Sequence, residues 1–204
     1  MTGMDLISKG GLPVRIAIFV DGGNVYHTQR KHLGWNIDLK KFLDYFRMIG
    51  EVVDAYYYTA IDYKVESQNR FVQMLPLMGY TIVSKPLKEI HNGDETKKKG
   101  NLDVEIVLDM FNTIDNYDMA VLFSGDGDFE RPLQQLRARG KRFMVVAHRS
   151  MVAREILAVA GMHYLDIASI EDYVKFTALP KELLADTSLT EIIEDMSVEE
   201  EYPI

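Results

Sequence analysis

The sequence predicts an α/β fold with a central, mostly parallel sheet of five to six strands and helices on both faces. Two observations carry this prediction. Short runs that are almost entirely apolar, at 15–20, 119–123 and 142–147, are typical of strands buried on both faces. Segments with helical spacing of apolar residues separate these runs, as in a chain built from strand–helix–strand units. With 204 residues, of which 47% are hydrophobic, the chain can bury the core of one domain.

Each predicted element rests on apolar periodicity and on the residues that end it. The run 15–20 ends in Asp21-Gly22-Gly23, a turn sequence, and glycines such as Gly34, Gly50 and Gly140 end the helical patterns. In the first half, the predicted elements are a strand at 15–20, helices at 24–33 and 39–49, a strand at 52–59, a helix at 65–78, a strand at 80–84 with an optional extension to 90, and a polar loop at 91–100. In the second half, they are a helix at 101–114, a strand at 119–123, a helix at 129–139, a strand at 142–147, a helix at 151–160, a short strand at 163–166 and a last turn at 170–176.

The acidic net charge of −8 is concentrated at one end of the chain. Residues 181–204 contain eight acids and one lysine, a sum of −7, which leaves −1 for residues 1–180. The expected organisation is a flexible lead at 1–13, one domain at 14–177 and an acidic tail at 178–204. Because the domain itself is nearly neutral, the net charge does not exclude a nucleic-acid partner.

Composition excludes several classes of protein. The absence of cysteine excludes a disulfide scaffold and a cysteine zinc site. The start of the chain lacks the apolar segment of a signal peptide, and the apolar runs are too short to span a bilayer. We therefore expect a cytoplasmic protein with no membrane partner.

Acidic side chains follow several of the predicted strands. Asp21 comes directly after the first strand and Asn24 follows it, while Asp126 and Asp128 come after the fourth. The carboxyl ends of parallel strands share one edge of a sheet, where α/β proteins bind their ligands. Two alternatives stay open, since Asp21 suits a turn and Asp128 suits a helix N-cap.

Asp103 is predicted to lie on the apolar side of its helix, among Val107, Met110 and Ile114. A solvated face is predicted on the opposite side, made of Glu105, Asp109, Asn112 and Thr113. A carboxylate on an apolar stripe favours pairing or metal binding. The alternative is an acid that is stabilised by the helix N-terminus and still reaches water.

These acids together predict a metal pocket. Carboxylates that lie close together repel one another and need a cation, a shared proton or a basic ligand. Ligand sets made only of oxygen suit Mg²⁺ or Mn²⁺. The segment 131–154 holds seven basic residues and no acid, which favours a polyanion beside the pocket, although a solvated helix face is the alternative. The candidate nucleic-acid contacts are Lys99, Arg131, Arg137 and Arg149.

Other phosphate- and metal-binding motifs do not match. Arg131 and Arg137 stand where a calcium-binding loop needs Gly and Glu, and neither a P-loop nor a dinucleotide fingerprint is present. A phosphatase of the haloacid dehalogenase type would want an acid at the position of Gly23. A small-molecule phosphohydrolase of another α/β class stays open as the third hypothesis, although this acid is missing.

Three segments resemble the NYN domain, and within it the LabA-like group of bacterial proteins, which is related to the PIN-like nucleases. They are IAIFVDGGN at 16–24, KGNLDVEIVLD at 99–109 and LFSGDGDF at 122–129. The resemblance spans about 14–175. One departure is Asn101, which stands after Lys99-Gly100 where such motifs often have Val.

The resemblance implies a PIN-like three-layer sandwich, an acidic Mg²⁺ or Mn²⁺ pocket and RNA cleavage that leaves 5′-phosphate and 3′-hydroxyl ends. By motif, Asp21, Asp103 and Asp126 would bind the metal, Asp128 would be a ligand or orient water, and Asn24 would position a substrate phosphate or a metal-bound water. The leading hypothesis is a metal-dependent ribonuclease. The second is a regulator of gene expression that binds RNA or protein without catalysis, and a homo-oligomer or a regulatory protein partner stays open.

Overall fold

The computed structural model describes residues 12–92 and 95–177, and of 88–92 and 95–99 it describes the backbone alone. Six parallel strands form one sheet in the order β3-β2-β1-β6-β7-β8, and β4 and β5 form a separate antiparallel hairpin. The strands are β1 (Arg15–Asp21), β2 (Glu51–Ile61), β3 (Thr81–Pro86), β4 (Lys88–Asn92), β5 (Glu95–Lys99), β6 (Met119–Phe123), β7 (Arg142–Ala147) and β8 (Tyr164–Asp166). The prediction of an α/β fold with a parallel sheet is confirmed.

Seven α-helices are described, together with one π-helix at Gln29–Leu33 and four short 3₁₀ turns. The α-helices are α1 (Gly22–Thr28), α2 (Leu39–Arg47), α3 (Glu66–Met78), α4 (Asp103–Asn112), α5 (Glu130–Ala138), α6 (Arg154–Ala160) and α7 (Glu171–Val174). The 3₁₀ turns are Ile114–Asn116, Gly127–Phe129, Gly161–His163 and Ile167–Ile170. None of the helices in the described ranges combines the length and apolar composition needed to cross a bilayer.

The sheet is the middle of three layers, because its central strands bury alternate side chains on opposite faces. From β1, Ile16 and Ile18 enter one core and Ala17 and Phe19 enter the other, and all four are fully buried. The first core is closed by α2, α3 and α7, and the second by α4, α5 and α6. Burying one such large side chain contributes roughly 1.5–3 kcal/mol, which explains why the central runs are almost entirely apolar.

The strand order places a crevice at one edge of the sheet. From β1 the chain moves outward to β2 and β3, then returns to add β6, β7 and β8 on the other side of β1. The connections therefore diverge between β1 and β6. In open α/β sheets, ligands bind at such a point, beyond the carboxyl ends of the strands.

Two predicted elements differ from the structure. The helix expected at 24–33 is α1 followed by the π-helix, because the backbone changes to wider turns at Gln29. The polar loop expected at 91–100 was wrong, since β4 pairs with β5 over Lys88–Asn92 and Glu95–Lys99. The run of lysines at 97–99 lowers the apparent strand propensity, while the backbone ladder supplies the pairing.

The solvated face predicted for α4 is confirmed only for Asn112, which is exposed. Asp109 accepts a 3.0 Å hydrogen bond from the Tyr58 hydroxyl, and Glu105 pairs with Lys85. Polar side chains of β2 and β3 thus reach this side of α4 and cover its acids. The apolar Val104 and Leu108 are exposed beside Asn112, at 65% and 54%.

Two predicted segments fall largely outside the described residues. These are the lead, of which 1–11 is not described, and the tail at 178–204. Their expected roles stay predictions.

Candidate functional site

A pocket of about 340 Å³ lies at the carboxyl edge of the sheet, at the point where the connections diverge. The ends of β1 and β2, the first turns of α1 and α4, and the loop after β6 form its walls. Asp21, Asn24, Asp103 and Asp126 all line it, so residues distant in sequence meet in one cavity.

Three carboxylates in this region converge closely. One oxygen from each of Asp103, Asp126 and Asp128 lies within 4.8 Å of the others. Two unit charges about 4 Å apart repel by about 4 kcal/mol at an effective dielectric of 20. Without a cation or a proton, the three groups would oppose one another.

Asp21 approaches from β1 and lies outside that group of three. Its Oδ1 accepts a 3.1 Å hydrogen bond from the backbone N–H of Asn24, and its Oδ2 accepts a 2.9 Å bond from Ser124 Oγ. The pKa of Asp21 is raised to about 6, mainly by burial and to a smaller extent by the charges of Asp103 and Asp126, while these two hydrogen bonds oppose the rise. Asp21 is therefore coupled electrostatically to the acids across the pocket.

Asp103 is held by its neighbour Asn101 rather than by a helix cap. Its backbone N–H donates to Asn101 Oδ1 at 2.7 Å, and its Oδ2 accepts from Asn101 Nδ2 at 2.6 Å. Burial raises the pKa of the half-buried Asp103 carboxyl, although the bond from Asn101 lowers it, and Asp126 and Asp128 add to the rise. Asn101, the departure from the family pattern, thus orients a pocket acid.

Asp126, and not Asp128, has the capping role that was left open for Asp128. Its Oδ1 accepts a 3.0 Å bond from the backbone N–H of Asp128 at the start of the 3₁₀ turn Gly127–Phe129. Asp128 lies within that turn, and its exposed side chain does not cap it. The short turn brings both carboxylates to the same side, toward Asp103.

Ser124 is a site residue that sequence reasoning missed. Ser124 is fully buried and lies between Phe123, at the end of β6, and the turn that carries Asp126. A polar residue at the end of an entirely apolar strand was the available signal. The neighbouring Asn24 contributes a buried Oδ1 that has no hydrogen-bond partner among the described residues.

Two glycines permit the close backbone approaches that build the pocket. A Cβ at Gly22 would lie 2.6 Å from Tyr58 O, and one at Gly125 would lie 2.5 Å from Met151 O. Neither distance is compatible with a side chain. Gly22 therefore lets α1 begin against β2, and Gly125 lets the loop after β7 pass over the end of β6.

Comparison with known proteins agrees with this architecture. The family model of the NYN domain matches residues 15–168. The chain belongs to the NYN domain family. This NYN domain is 44% identical, over 174 residues, to the "Low amplitude and bright protein LabA" of Synechococcus elongatus, an overlap of 83% of the chain and 92% of LabA. The resemblance drawn from the three motifs is thereby confirmed.

A solved structure supports the same fold. A crystal structure of a Vibrio parahaemolyticus protein of unknown function is 28% identical to this NYN domain, with a TM-score of 0.68. The match covers 79% of this chain and 96% of the Vibrio chain. Its similarity therefore extends over most of both molecules.

The donor set of this NYN domain fits a hard divalent cation. Asp103, Asp126 and Asp128 offer only carboxylate oxygens, which Mg²⁺ and Mn²⁺ accept, with water completing the coordination shell. Two of the three are exposed, so water and a phosphate can reach them. Asp21 adds a fourth carboxylate to the same pocket.

The basic side chains of this NYN domain do not form one surface. Arg131 is the second residue of α5, three residues after Asp128, and Arg149 follows β7 at the carboxyl edge of the sheet. Arg137 lies near the far end of α5, where it donates to Val159 O at 2.7 Å and stacks on Phe143. The side chain of Lys99 is outside the described part of the structure.

Proposed function

We propose that this NYN domain is a metal-dependent ribonuclease that hydrolyses RNA phosphodiester bonds at the acidic pocket. The observation that carries the proposal is the convergence of Asp103, Asp126 and Asp128 within 4.8 Å. Carboxylates this close repel one another, and a bound cation would relieve that repulsion. Membership of the NYN domain family supports the same activity.

In this proposal Asp103 and Asp126 hold Mg²⁺ or Mn²⁺, Asp21 completes the set from β1, and Asp128 is a further ligand or orients a water. When bound there, the ion would make water a better nucleophile and stabilise negative charge on the phosphate. The protein's own contribution is to fix these oxygens on strand ends and short turns, where Asn101 and the backbone of Asp128 hold them.

Asp21 and Asn24 have further roles in the proposal. With a pKa of about 6, Asp21 is largely ionised at neutral pH, the form in which it can bind the ion. Asn24 lines the pocket beside it, and its amide can donate to a substrate phosphate oxygen. Water would then attack the phosphorus in line, and the products would carry 5′-phosphate and 3′-hydroxyl ends.

RNA is the proposed partner because cations adjoin the acids at the same edge of the sheet. Arg131 and Arg149 are exposed there, and each can neutralise a phosphate. Lys99 is also a proposed contact. Arg137 is not, because its guanidinium donates to Val159 O and stacks on Phe143. A cytoplasmic location remains part of the proposal, since RNA is available there.

The second candidate function is that of a regulator that binds RNA or protein without catalysis. The similarity to LabA favours it, because that relative is named for low amplitude and brightness and not for a reaction. In this case the acidic pocket would still bind a cation or RNA, but no product would form.

Cleavage of a labelled single-stranded RNA separates the two candidates. We expect wild-type chain with Mn²⁺ to cleave it, EDTA to stop the reaction, and Asp126→Asn to reduce the rate at least about a hundredfold. Asp172→Asn on α7 is the matched control and should cleave normally, because Asp172 is exposed and does not line the pocket. RNA binding without cleavage would favour the regulator, and cleavage by Asp126→Asn at the wild-type rate would overturn the ribonuclease.

A further inference from the structure

Two segments beside the acidic pocket, the π-helix and the loop after β7, contact each other through their histidine side chains. The rings of His32, in the π-helix, and His148, after β7, are stacked with centroids 5.0 Å apart and planes 16° apart. The backbone N–H of Ser150 donates to His148 Nδ1 at 3.2 Å and holds that ring in place. The next residue, Met151, lines the pocket and accepts a bond from Thr28 Oγ1 in α1. The stacked imidazoles are therefore built into the rim of the site.

The backbone beneath His32 is unusual. Residues Gln29–Leu33 form a π-helix, a structure that accounts for well under 1% of residues in proteins and is frequent at functional sites. It presents Arg30, Lys31 and His32 in succession, and all three are exposed. Within the described residues, neither Arg30 nor Lys31 forms an ion pair with an acid. The charges of Arg30 and Lys31 are therefore available to an anionic ligand.

Arg149 adds a third cation beside the stacked rings. Its side chain is 77% exposed, and its Nε lies 3.0 Å from Asp166 Oδ2. The guanidinium has five N–H donors, so this single contact leaves its other donors free for an anion. Arg30 and Lys31 directly precede His32, and Arg149 directly follows His148, so the stacked rings join two segments that carry three cationic side chains.

We propose that the side chains of Arg30, Lys31, His32, His148 and Arg149 form a nucleotide-binding subsite for single-stranded RNA. A base stacks on the open face of His32, since His148 covers only the other face and His32 stays exposed. The three cations contact the phosphates on either side of that base. A duplex is excluded because its bases are already stacked on one another. The inference rests on the proposed function, in which the same RNA continues into the acidic pocket.

RNA binding in EDTA tests the subsite without any cleavage. Fluorescence anisotropy of a labelled single-stranded RNA of about ten nucleotides is measured with the full chain, beside a duplex of the same sequence. We expect His32→Ala to weaken single-strand binding about tenfold, in line with base stacking on aromatic rings, and His32→Phe to restore it to within about twofold. Tyr173→Ala removes an exposed ring on α7 and is the matched control, for which no change is expected. Arg149→Gln should lower the salt slope of binding by about 0.7.

The outcomes separate this inference from the proposed function. Unchanged binding by His32→Ala, or loss of binding by His32→Phe equal to that of His32→Ala, overturns the stacking subsite, as does duplex binding as tight as single-strand binding. If Mn²⁺-dependent cleavage by the wild type persists in that case, the ribonuclease stands without the subsite. If the wild type neither binds nor cleaves RNA, both fail. Equal thermal midpoints of all variants establish that a loss of binding does not come from unfolding.

Discussion

Ser124 Oγ donates a 2.9 Å hydrogen bond to Oδ2 of Asp21 and so joins the ends of β6 and β1. Ser124 Oγ also accepts a 3.3 Å hydrogen bond from the backbone N–H of Asp126. One buried hydroxyl therefore connects the first-strand acid to the turn that carries the other two. These hydrogen bonds lie between the ends of β1 and β6, where the strand order reverses and where the pocket is found.

Replacement of Ser124 by Ala should move the pH dependence of the reaction. The hydroxyl stabilises the ionised Asp21, so its removal raises the pKa of Asp21 above about 6. We expect the acidic limb of kcat/KM against pH to move to higher pH, and the free energy of unfolding to fall by about 1 kcal/mol. Ser169→Ala, which removes an exposed hydroxyl bonded to Asp166 O, is the control. An unmoved acidic limb would show that Asp21 does not titrate in the reaction.

Replacement of Asp21 by Asn should stabilise the metal-free protein at neutral pH. The folded-state pKa of about 6 is raised above the ordinary value of 3.8, so the contribution of Asp21 to stability is full below pH 4 and is lost as pH rises through 6. A pKa difference of this size corresponds to at most about 3 kcal/mol at pH 7. We expect urea unfolding in EDTA to give a more stable Asn variant at pH 8 and no such advantage at pH 4. A less stable variant at pH 8 would contradict this electrostatic account.

Divalent metal should stabilise the wild type through the acids of the pocket. A ligand at a hundred times its Kd stabilises the folded state by about 2.7 kcal/mol. We expect Mn²⁺ to raise the Tm of the wild type, and Asp103→Asn or Asp128→Asn to weaken this effect at least about tenfold in apparent Kd. Thermal unfolding with increasing Mn²⁺ measures it, with Asp172→Asn as the control. Equal Mn²⁺ dependence in all four proteins would place the ion elsewhere.

Gly125 is predicted to be irreplaceable, in contrast to Gly127 two residues later. A Cβ at Gly125 meets Met151 O at 2.5 Å and Val152 Cα at 2.9 Å, whereas one at Gly127 meets Ala153 Cβ at an ordinary 3.4 Å. We expect Gly125→Ala to cost about 1–3 kcal/mol of unfolding free energy and to displace the rim of the pocket. Gly127→Ala should cost less than about 1 kcal/mol. Chemical denaturation of both variants checks the difference, and equal stability would contradict the close approach.

The two arginines of α5 should affect different properties. Arg131 is exposed in the first turn of α5, close in sequence to Asp128, so Arg131→Gln should weaken RNA binding and lower its salt slope by about 0.7. Arg137 bonds Val159 O and stacks on Phe143, so Arg137→Gln should lower Tm and leave the salt slope unchanged. Binding at several salt concentrations and thermal unfolding measure the two effects. A reduced salt slope for Arg137→Gln would extend the RNA surface along the whole helix.

The buried strands could be predicted because their physical signal is local. Strands such as β6, all of whose side chains are buried, must be apolar throughout, and the sequence shows this directly. The hairpin of β4 and β5 could not be predicted, because its lysine-rich strands pair through the backbone and carry no apolar alternation. The polar contacts of α4 depend on Tyr58 and Lys85, which lie far away in sequence.

The part of the site that could be predicted is the set of acids whose position follows from the strand order. Asp21 and Asp126 end parallel strands, and such ends meet at one edge of a sheet, so their entry into one pocket follows from the fold. The exclusion of Asp21 from the closest group of acids follows from its bonds to Ser124 and Asn24, which no periodicity indicates. The stack of His32 on His148 depends on a π-helix, for which the sequence carries no simple signal.

The most direct test of a metal-dependent reaction at this pocket compares Mn²⁺ binding and RNA cleavage in the same preparation. Single-turnover rates are measured against Mn²⁺ concentration, and binding is followed by electron paramagnetic resonance. We predict that both curves share one midpoint, that Asp126→Asn shifts both to higher Mn²⁺, and that the products carry 5′-phosphates. Cleavage that persists in EDTA, or a rate that Asp126→Asn leaves unchanged while Mn²⁺ binding is lost, would contradict the account.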